Sequence, residues 1–487
     1  MKTKLLVSIL VLTMLIAIAS SIRVNASMNY PEPAHYGGSN AARFDVNPVR
    51  TESLTTTEDP SLWPTATPFN LDMVDAEKVS ETGDGIYVAV LDTGLLSNYQ
   101  YFFPETIVDI KTEWGIGFTH DLIWVGSGGN WSNEFDYSPL RSDRGFITHD
   151  NGAPDQYGFG WGSGHGTQVT SEITGWYYNS RRGDGVQYWV KGVAPKVTII
   201  PVLVLDDWIA YNPDFTEGWF FTGGTDEMVA AGIKYVGDLA QAHHVKIIIN
   251  MSLGGPTPAK IIENAINYAI CRGVIIVASA GNEGEAGMGW PGAYPQVISV
   301  AAAGWTQEYI DYYLYPGNPM DYYWWTKDVP ENLWTADPLG NEFQVYLTDF
   351  SSRPNATLGQ HIWDLDLAAP GAGVKGPYKG YGSGQWNYYS VWGTSQAAPH
   401  VAAIAALVAQ DYPKVNQFAM ELCLKAAGLF NPLTKFCEKS RSATIYDTFS
   451  GGLVTYSWTW KDYGTGLLQA DAALCVASSM FNLKCKH

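Results

Sequence analysis

The sequence predicts an α/β fold built on a parallel sheet, and two segments carry most of that prediction. Residues 86–91 are a short apolar run closed by Asp92 and a glycine turn, which is typical of a buried parallel strand. Residues 401–409 are apolar on nearly every face, which predicts a central buried helix. The chain has 487 residues, of which 46% are hydrophobic. This composition allows a large core and excludes a disordered or fibrous protein.

Three polar residues stand beside these elements. Asp92 falls at the carboxyl end of the first strand, where ligands and catalytic groups of open α/β sheets gather. His165 lies between glycines in residues 162–169, which leaves its imidazole reachable. Ser395 opens the buried helix, where unpaired N–H groups and the helix dipole would stabilise a developing negative charge, as acyl transfer requires. Pro399 is expected in the first helical turn, where its missing N–H does no harm. Taken singly, each polar residue could be an ordinary turn residue or helix cap.

The motifs occur in the order Asp, His, Ser, which is the order of the subtilisin triad. With them, the chain resembles the subtilisin-like serine peptidases over about residues 60–475. By this resemblance Asp92 is the triad acid, His165 the base and Ser395 the nucleophile. Asn282 ends a strand-like run and matches the amide of the family's oxyanion hole. The resemblance implies a three-layer domain with a mostly parallel central sheet, helices on both faces and several surface inserts.

A substrate pocket is implied in the same way. Residues 247–255 resemble the strand that lines the family's cleft, and residues 289–295 resemble the base of the S1 pocket. The expected substrate-binding residues are Ser252, Leu253, Gly254, Gly255, Ala280, Gly281 and Gly289. All are small or apolar, and no acid stands at the base, so we expect a preference for large apolar P1 side chains such as Phe, Tyr, Leu or Met.

The sequence departs from the family pattern around the triad. Gln168, Thr170 and Ser171 replace residues of the helix behind His165, and Gln396 stands where Met is frequent. None of these four is a triad position, so the departures bear on efficiency and specificity. Gln396 is a candidate cleft residue.

The expected function is a secreted serine endopeptidase that works through an acyl-enzyme intermediate. One alternative is an inactive secreted binding protein on the same fold, which would need none of the four catalytic residues. The other is an acid peptidase of the sedolisin type, which uses Glu in place of the His and Asp for the oxyanion. His165 and Asn282 disfavour that alternative.

The remaining organisation follows from composition. Two lysines and the apolar run 5–19 predict a signal peptide over residues 1–26, so the protein should be secreted. Residues 27–60 read as a short leader, residues 61–475 as the peptidase domain and residues 476–487 as a C-terminal tail. The net charge is −19 and no basic run occurs, which disfavours nucleic-acid binding. Apart from the signal segment nothing indicates a membrane, so the expected partners are protein or peptide substrates.

Other features yield weaker expectations. No cofactor is required for the chemistry, and structural calcium is possible only by resemblance, with no ligands assigned. We expect disulfides Cys423–Cys437 and Cys475–Cys485, with Cys271 a buried free thiol at the start of a core strand. Asn130 and Asn355 open loop sequons for glycosylation. The aromatic insert 305–348 either packs on the body, which is the favoured interpretation, or extends the substrate-binding surface.

Overall fold

The structure is a computed structural model that describes residues 36–37, 43–44, 64–120, 122–124, 135–148, 164–179, 187–211, 218–310, 329–379, 386–435, 438–448 and 450–482. The predicted signal segment, most of the leader, Asn130, Cys437, Cys485 and residues 311–328 of the aromatic insert lie outside these residues.

The described residues form 22 strands and eight α-helices. The strands are β1 (Tyr36–Gly37), β2 (Arg43–Phe44), β3 (Thr65–Ala66), β4 (Tyr87–Asp92), β5 (Asp109–Ile110), β6 (Ile116–Gly117), β7 (Leu122–Trp124), β8 (Phe135–Tyr137), β9 (Gly175–Asn179), β10 (Gln187–Lys191), β11 (Thr198–Leu203), β12 (Asp206–Tyr211), β13 (Gly218–Gly224), β14 (Ile247–Met251), β15 (Ile275–Ser279), β16 (Ile298–Trp305), β17 (Val345–Leu347), β18 (Leu367–Pro370), β19 (Val374–Lys379), β20 (Trp386–Trp392), β21 (Arg441–Asp447) and β22 (Gly452–Trp458). The helices are α1 (Phe69–Met73), α2 (Tyr99–Phe102), α3 (His165–Thr174), α4 (Asp226–His243), α5 (Lys260–Ile270), α6 (Thr394–Asp411), α7 (Gln417–Gly428) and α8 (Ala470–Phe481).

A mostly parallel sheet organises the chain, as predicted. Its strands follow the order β17-β16-β15-β14-β4-β11-β5, with β18 also paired to β16 and β6 to β11. All these pairings are parallel except that of β17 with β16. Every residue of β11, β14 and β15 is buried, so both faces of the sheet are covered.

Strand β4 shows how the two faces divide. Successive side chains of a strand point to opposite sides. On one side, a β-carbon added at Gly232 of α4 would lie 3.4 Å from Leu91 Cδ2, so α4 packs directly on Leu91. On the other side, Asp92 bonds to His165 at the start of α3. The strand therefore presents apolar packing to one helical layer and its terminal carboxylate to the other.

Helix α6 is the buried central helix that the sequence predicts, and it packs on β14, β15, β16 and β18. The expectation for Pro399 was wrong in one respect. Helix α6 begins at Thr394, so Pro399 lies in its second turn rather than its first. A proline there removes the N–H that would bond the carbonyl of Ser395 four residues earlier. That carbonyl accepts a 2.6 Å hydrogen bond from Ser252 Oγ instead.

Several peripheral expectations can be compared with the structure. One of the surface inserts implied by the family resemblance, residues 206–224, contains the antiparallel hairpin β12–β13. The described part of the aromatic insert packs on itself and the body, with Trp334 stacked on Phe343 at 4.1 Å between ring centroids. The leader contributes β1, paired with β13, and β2, paired with β20. Helix α8 continues to Phe481, so the boundary predicted at 475 falls inside a helix.

The cysteine expectations need correction. Cys271 is exposed because it caps α5, and β15 begins only at Ile275. Cys423 and Cys475 carry free thiols in the structure, in disagreement with the two predicted disulfides, whose other members lie outside the described residues. The Cys423 thiol is buried and points at the Ala473 carbonyl, 3.6 Å away. Burial raises its pKa to about 12, so it is protonated at neutral pH.

Candidate active site

Asp92 and His165 meet at the edge of the sheet. His165 Nδ1 lies 2.8 Å from Asp92 Oδ1 and 3.0 Å from Oδ2. The backbone N–H of Thr93 donates to Asp92 Oδ1 at 2.7 Å, and the N–H of Gly166 donates to Thr93 Oγ1 at 3.0 Å. These hydrogen bonds, made by residues next to the Asp92–His165 pair, hold the end of β4 against the start of α3. The proton shared with Asp92 belongs on Nδ1, which puts the basic lone pair on Nε2.

Two opposing effects act on the pKa of His165. Burial favours the neutral ring and would lower the pKa, whereas the charge of Asp92 and its hydrogen bond favour the imidazolium. The contribution of Asp92 prevails, so the pKa of His165 is raised above 6.5. This is the direction that helps an imidazole accept a proton during a reaction.

Ser395 lies in the first turn of α6 and is tied twice to Ser252. Its hydroxyl donates to the Ser252 carbonyl at 3.2 Å, and its carbonyl accepts from Ser252 Oγ at 2.6 Å. Ser252 Oγ also accepts from Asn250 Nδ2 at 3.0 Å. Among the described contacts no hydrogen bond joins Ser395 to His165, so the hydroxyl must rotate away from Ser252 before it can transfer a proton. Catalytic hydrogen bonds often tighten only when substrate is bound.

Asn282 is held at the start of α6 through its amide oxygen. Its Oδ1 accepts from the backbone N–H of Thr394 at 2.8 Å and from Thr394 Oγ1 at 3.0 Å. This arrangement leaves the Nδ2 donor available at the start of α6, where the first-turn N–H groups of the helix also point. A side-chain donor and a helix N-terminus therefore converge where an oxyanion would form.

Ser395 and Asn282 open onto a cleft of about 530 Å³, whose described lining does not include Asp92 or His165. It is lined by Ser252, Leu253, Gly254, Gly255, Pro256, Ser279, Gly281, Asn282, Glu283, Ala286, Gly287, Met288, Gly289, Leu358, Thr394 and Ser395. Six of the seven predicted substrate-binding residues are in this lining. The seventh, Ala280, is fully buried behind it, and its carbonyl accepts from the N–H of Gly289 at 2.8 Å.

The floor of the cleft is closed by a backbone bridge. The N–H of Gly255 donates to the Trp290 carbonyl at 2.8 Å, and the N–H of Trp290 donates back at 2.9 Å. A β-carbon added at Gly289 would lie 3.7 Å from Gly254 Cα, which is ordinary contact distance. Glycine at 254 and 289 therefore leaves room between the two backbone segments that a side chain would fill.

Sequence reasoning did not assign several residues of this lining, among them Glu283 and Leu358. Glu283 puts a carboxylate in the wall, contrary to the expectation that every wall residue is small or apolar. Its Oε2 accepts from the N–H of Asn282 at 2.7 Å and from Ser352 Oγ at 3.0 Å. The position of Glu283 in the wall could have been predicted from the sequence, because Glu283 directly follows Asn282. Leu358 comes from a distant loop, and no local pattern marks it.

The two glutamine departures turn out to be partners. Gln396 Nε2 donates to Gln168 Oε1 at 3.1 Å, and Gln168 Nε2 donates to the Val374 carbonyl at 3.0 Å. Gln396 is buried and does not line the cleft, so it is not the cleft residue that its position suggested. Because the Gln396 amide donates the hydrogen bond that the Gln168 amide accepts, the two residues together stabilise the contact between α3 and α6.

A second carboxyl is buried in the helix behind the triad. Within the described part of the chain, neither oxygen of the Glu172 side chain has a hydrogen-bond partner. Its Oε2 lies 3.7 Å from His400 Nδ1, whose own hydrogen-bond acceptor is the Gln396 carbonyl at 2.7 Å. Burial, and then repulsion from Asp92, raises the pKa of Glu172 well above 4.5. Burial lowers the pKa of His400 to about 4, so the group facing Glu172 is neutral at pH 7.

Within the described residues, no group of three or more His, Cys, Asp or Glu side chains could hold a metal ion. This finding does not test the expectation of structural calcium, since calcium also binds backbone and amide carbonyl oxygens. In the same part of the chain, none of the helices combines the length and apolarity that crossing a membrane needs.

Comparison with known proteins identifies the family of the chain. The sequence matches the family described as the Subtilase family over residues 83–429. Subtilisin of Bacillus sp. (strain TA39) is 28% identical over 343 residues, which are 69% of this chain and 59% of that protein. M-protease of Shouchella clausii (strain KSM-K16) is 27% identical over 352 residues, or 72% of this chain and 61% of that protein. The matched regions thus span about 60% of the length of these relatives. A solved structure, S41 Psychrophilic Protease, aligns with a TM-score of 0.48 and 23% identity over 83% of this chain and 98% of that one.

Proposed function

The chain belongs to the subtilase family, and from that premise we propose that it is a secreted serine endopeptidase acting through an acyl-enzyme intermediate. The observations that carry the proposal are the Asp92–His165 pair, whose helix bonds to the helix of Ser395 through Gln168 and Gln396, and the cleft shared by Ser395 and the Asn282 amide. Protein or peptide substrates suit a cleft of this size with backbone groups along its wall. Secretion rests on the apolar run near the N-terminus.

In the proposed mechanism, the Ser395 hydroxyl leaves the Ser252 carbonyl and bonds to His165 Nε2. His165 takes the proton as Ser395 attacks the substrate carbonyl, and Asp92 stabilises the imidazolium. The oxyanion receives hydrogen bonds from Asn282 Nδ2 and the backbone N–H of Ser395. His165 then protonates the leaving amine, and water repeats the sequence on the ester. All the groups come from the chain itself, so the steps need no cofactor.

The decisive experiment is labelling with a serine-directed fluorophosphonate, together with peptide hydrolysis. Wild type should be labelled and active, and Ser395→Ala should lose the label and retain only a small residual rate. Hydrolysis at a near-wild-type rate in Ser395→Ala would exclude the assigned nucleophile. A wild type that neither labels nor hydrolyses peptides would favour the inactive binding protein.

We also propose that large apolar P1 side chains are preferred, because the glycines at 254 and 289 leave a wide slot. Glu283 limits this preference, since its carboxylate could attract a P1 Lys or Arg at the wall. Its Oε2 accepts hydrogen bonds from the Asn282 N–H and from Ser352 Oγ, which partly compensate the negative charge of the carboxylate. The measurement is kcat/KM for peptides that differ only at P1, in wild type and in Glu283→Gln. We expect Leu and Phe to exceed Lys in both proteins. A Lys preference that disappears in Glu283→Gln would show that Glu283 governs the pocket.

A further inference from the structure

The cleft has an apolar rim that comes from a separate loop. This rim loop, residues 353–360, lies between β17 and β18 and contributes Leu358 to the lining. A β-carbon at Gly287 would fall on Leu358 Cδ1, so the leucine packs directly over the backbone of Gly287. Leu358 nevertheless remains 46% exposed, a large apolar surface beside a proposed active site.

The rim loop is fastened to the cleft wall by side chains that bond to its backbone. Gln360 accepts from the N–H of Met288 at 2.8 Å and donates to the Met288 carbonyl at 2.7 Å. Asn355 Nδ2 donates to the carbonyls of Glu285 and Ala286, at 3.2 Å each. Both contacts join the rim loop to residues 285–288, which form the same wall on which Leu358 packs. Because Gln360 is buried, its bonds to Met288 are protected from water.

The rim loop also fixes the position of Leu358 internally. Asn355 Oδ1 accepts from the N–H of Thr357 at 2.9 Å and from Thr357 Oγ1 at 2.7 Å, which caps a single helical turn, Ala356–Leu358. Gly359 has φ +75°, a left-handed value that favours glycine, and it ends this turn. A glycan on the predicted sequon at Asn355 would disrupt the bonds of Nδ2, so an unmodified Asn355 suits this arrangement.

We propose that Leu358 is a specificity-determining residue of the substrate cleft, which contacts the outer part of a long apolar P1 side chain. This inference rests on the proposed peptidase function. A leucine, methionine or phenylalanine at P1 reaches the rim and buries the exposed surface of Leu358, whereas an alanine does not. The substrate class favoured by the rim is therefore peptides with long apolar P1 groups.

The test is the ratio of kcat/KM for two peptides that differ only in Leu or Ala at P1. In Leu358→Ala this ratio should fall about 10-fold, because the lost methyl groups no longer contact the longer substrate. Hydrolysis of the Ala peptide should change less than hydrolysis of the Leu peptide. Leu358→Met keeps the volume and should keep the ratio. Leu453→Ala is the matched control, since Leu453 is 45% exposed in β22 and outside the cleft lining.

A second variant tests the attachment of the loop. Gln360→Glu preserves the acceptor for the Met288 N–H but removes the donor to the Met288 carbonyl. The ratio of kcat/KM for the Leu and Ala peptides should therefore fall in this variant as well. Leu358→Lys should raise cleavage after P1 Glu relative to P1 Gln, a change that a merely structural role would not produce.

The outcomes separate the two proposals. An active Leu358→Ala enzyme with an unchanged Leu to Ala ratio would overturn the role of Leu358 alone. An equal fall in Leu453→Ala would also overturn it, because the effect would then be general. A wild type that hydrolyses neither peptide would refute the peptidase proposal and this inference with it.

Discussion

Ser252→Ala is the substitution for which the structure gives the sharpest expectation. Because Pro399 has no N–H, the carbonyl of Ser395 depends on Ser252 Oγ, 2.6 Å away. The same oxygen accepts from Asn250 Nδ2 at 3.0 Å. Ser252→Ala would leave the Ser395 carbonyl and the Asn250 amide unpaired in the core. At about 1–3 kcal/mol for each of these two buried unpaired groups, the free energy of unfolding should fall by about 2–6 kcal/mol.

The effect on the Ser395 carbonyl can be isolated with a double-mutant cycle. Pro399→Ala supplies a backbone N–H that can bond this carbonyl within the helix. In that background Ser252→Ala should lose only the bond to Asn250. The two substitutions should therefore be coupled by about 1–2 kcal/mol, with the double mutant more stable than the sum of the single effects predicts. The change in unfolded-state entropy caused by Pro399→Ala is common to both sides of the cycle and cancels.

The assay is urea unfolding followed by fluorescence, with all four proteins carrying Ser395→Ala so that self-digestion cannot occur. That change removes the hydroxyl but retains the carbonyl on which the reasoning depends. A parallel set with Ser395 intact gives kcat, which should fall about 10- to 100-fold in Ser252→Ala through misplacement of the nucleophile. Strictly additive unfolding free energies would refute the idea that Ser252 substitutes for the missing helical hydrogen bond.

Other predictions concern the groups around the triad. Asn282→Ala should lower kcat about 10²- to 10³-fold with little change in KM, whereas a change in KM alone would remove Asn282 from the oxyanion hole. The acidic limb of the kcat/KM profile should lie above pH 6.5, since His165 is active when neutral and its pKa is raised. In Asp92→Asn the limb should move to lower pH, because the charge that raises this pKa is removed. A limb that does not move would contradict the assignment of Asp92. The carboxyl of Glu172 keeps its proton in the folded state, whereas in the unfolded state it releases the proton above pH 4.5. Between pH 4.5 and the raised pKa of the folded state, the free energy of unfolding should therefore fall by up to about 1.4 kcal/mol per pH unit. Urea unfolding of Glu172→Gln against pH should show a flatter slope, and an identical slope would mean that Glu172 ionises normally.

The parts of the fold that were predictable are those in which local sequence determines structure. The strand ending at Asp92 and the buried helix of Ser395 are apolar runs with polar ends, so short windows reveal both the element and its functional residue. Thr225 caps α4 by accepting from the N–H of Met228, and threonine is a residue type that marks helix starts in a sequence. The relative placement of Asp92, His165 and Ser395 was accessible only through the family resemblance, because no local pattern specifies which distant segments meet.

The features that escaped prediction depend on pairs of side chains far apart in the chain. Gln168 and Gln396 looked like two independent departures, yet they bond to each other across 228 positions. Leu358 was not a candidate, because its location is determined by the bonds of Gln360 to a wall segment 72 residues earlier. Polar side chains of this kind have no periodicity to recognise, and their partners are chosen by the packing of the elements that carry them.

The two sides of the cleft should consequently respond differently to substitution. Ser252 lines the cleft and bonds both the hydroxyl and the carbonyl of Ser395, so a substrate that displaces this wall also moves the nucleophile. Leu358 is anchored to residues 285–288, and among the described contacts no hydrogen bond connects its loop to Ser395 or His165. Changes at Ser252 should therefore alter kcat together with selectivity. Changes at Leu358 should alter selectivity for P1 while the rate with a small P1 residue changes less than the rate with a large one, since the geometry of the reacting groups is untouched.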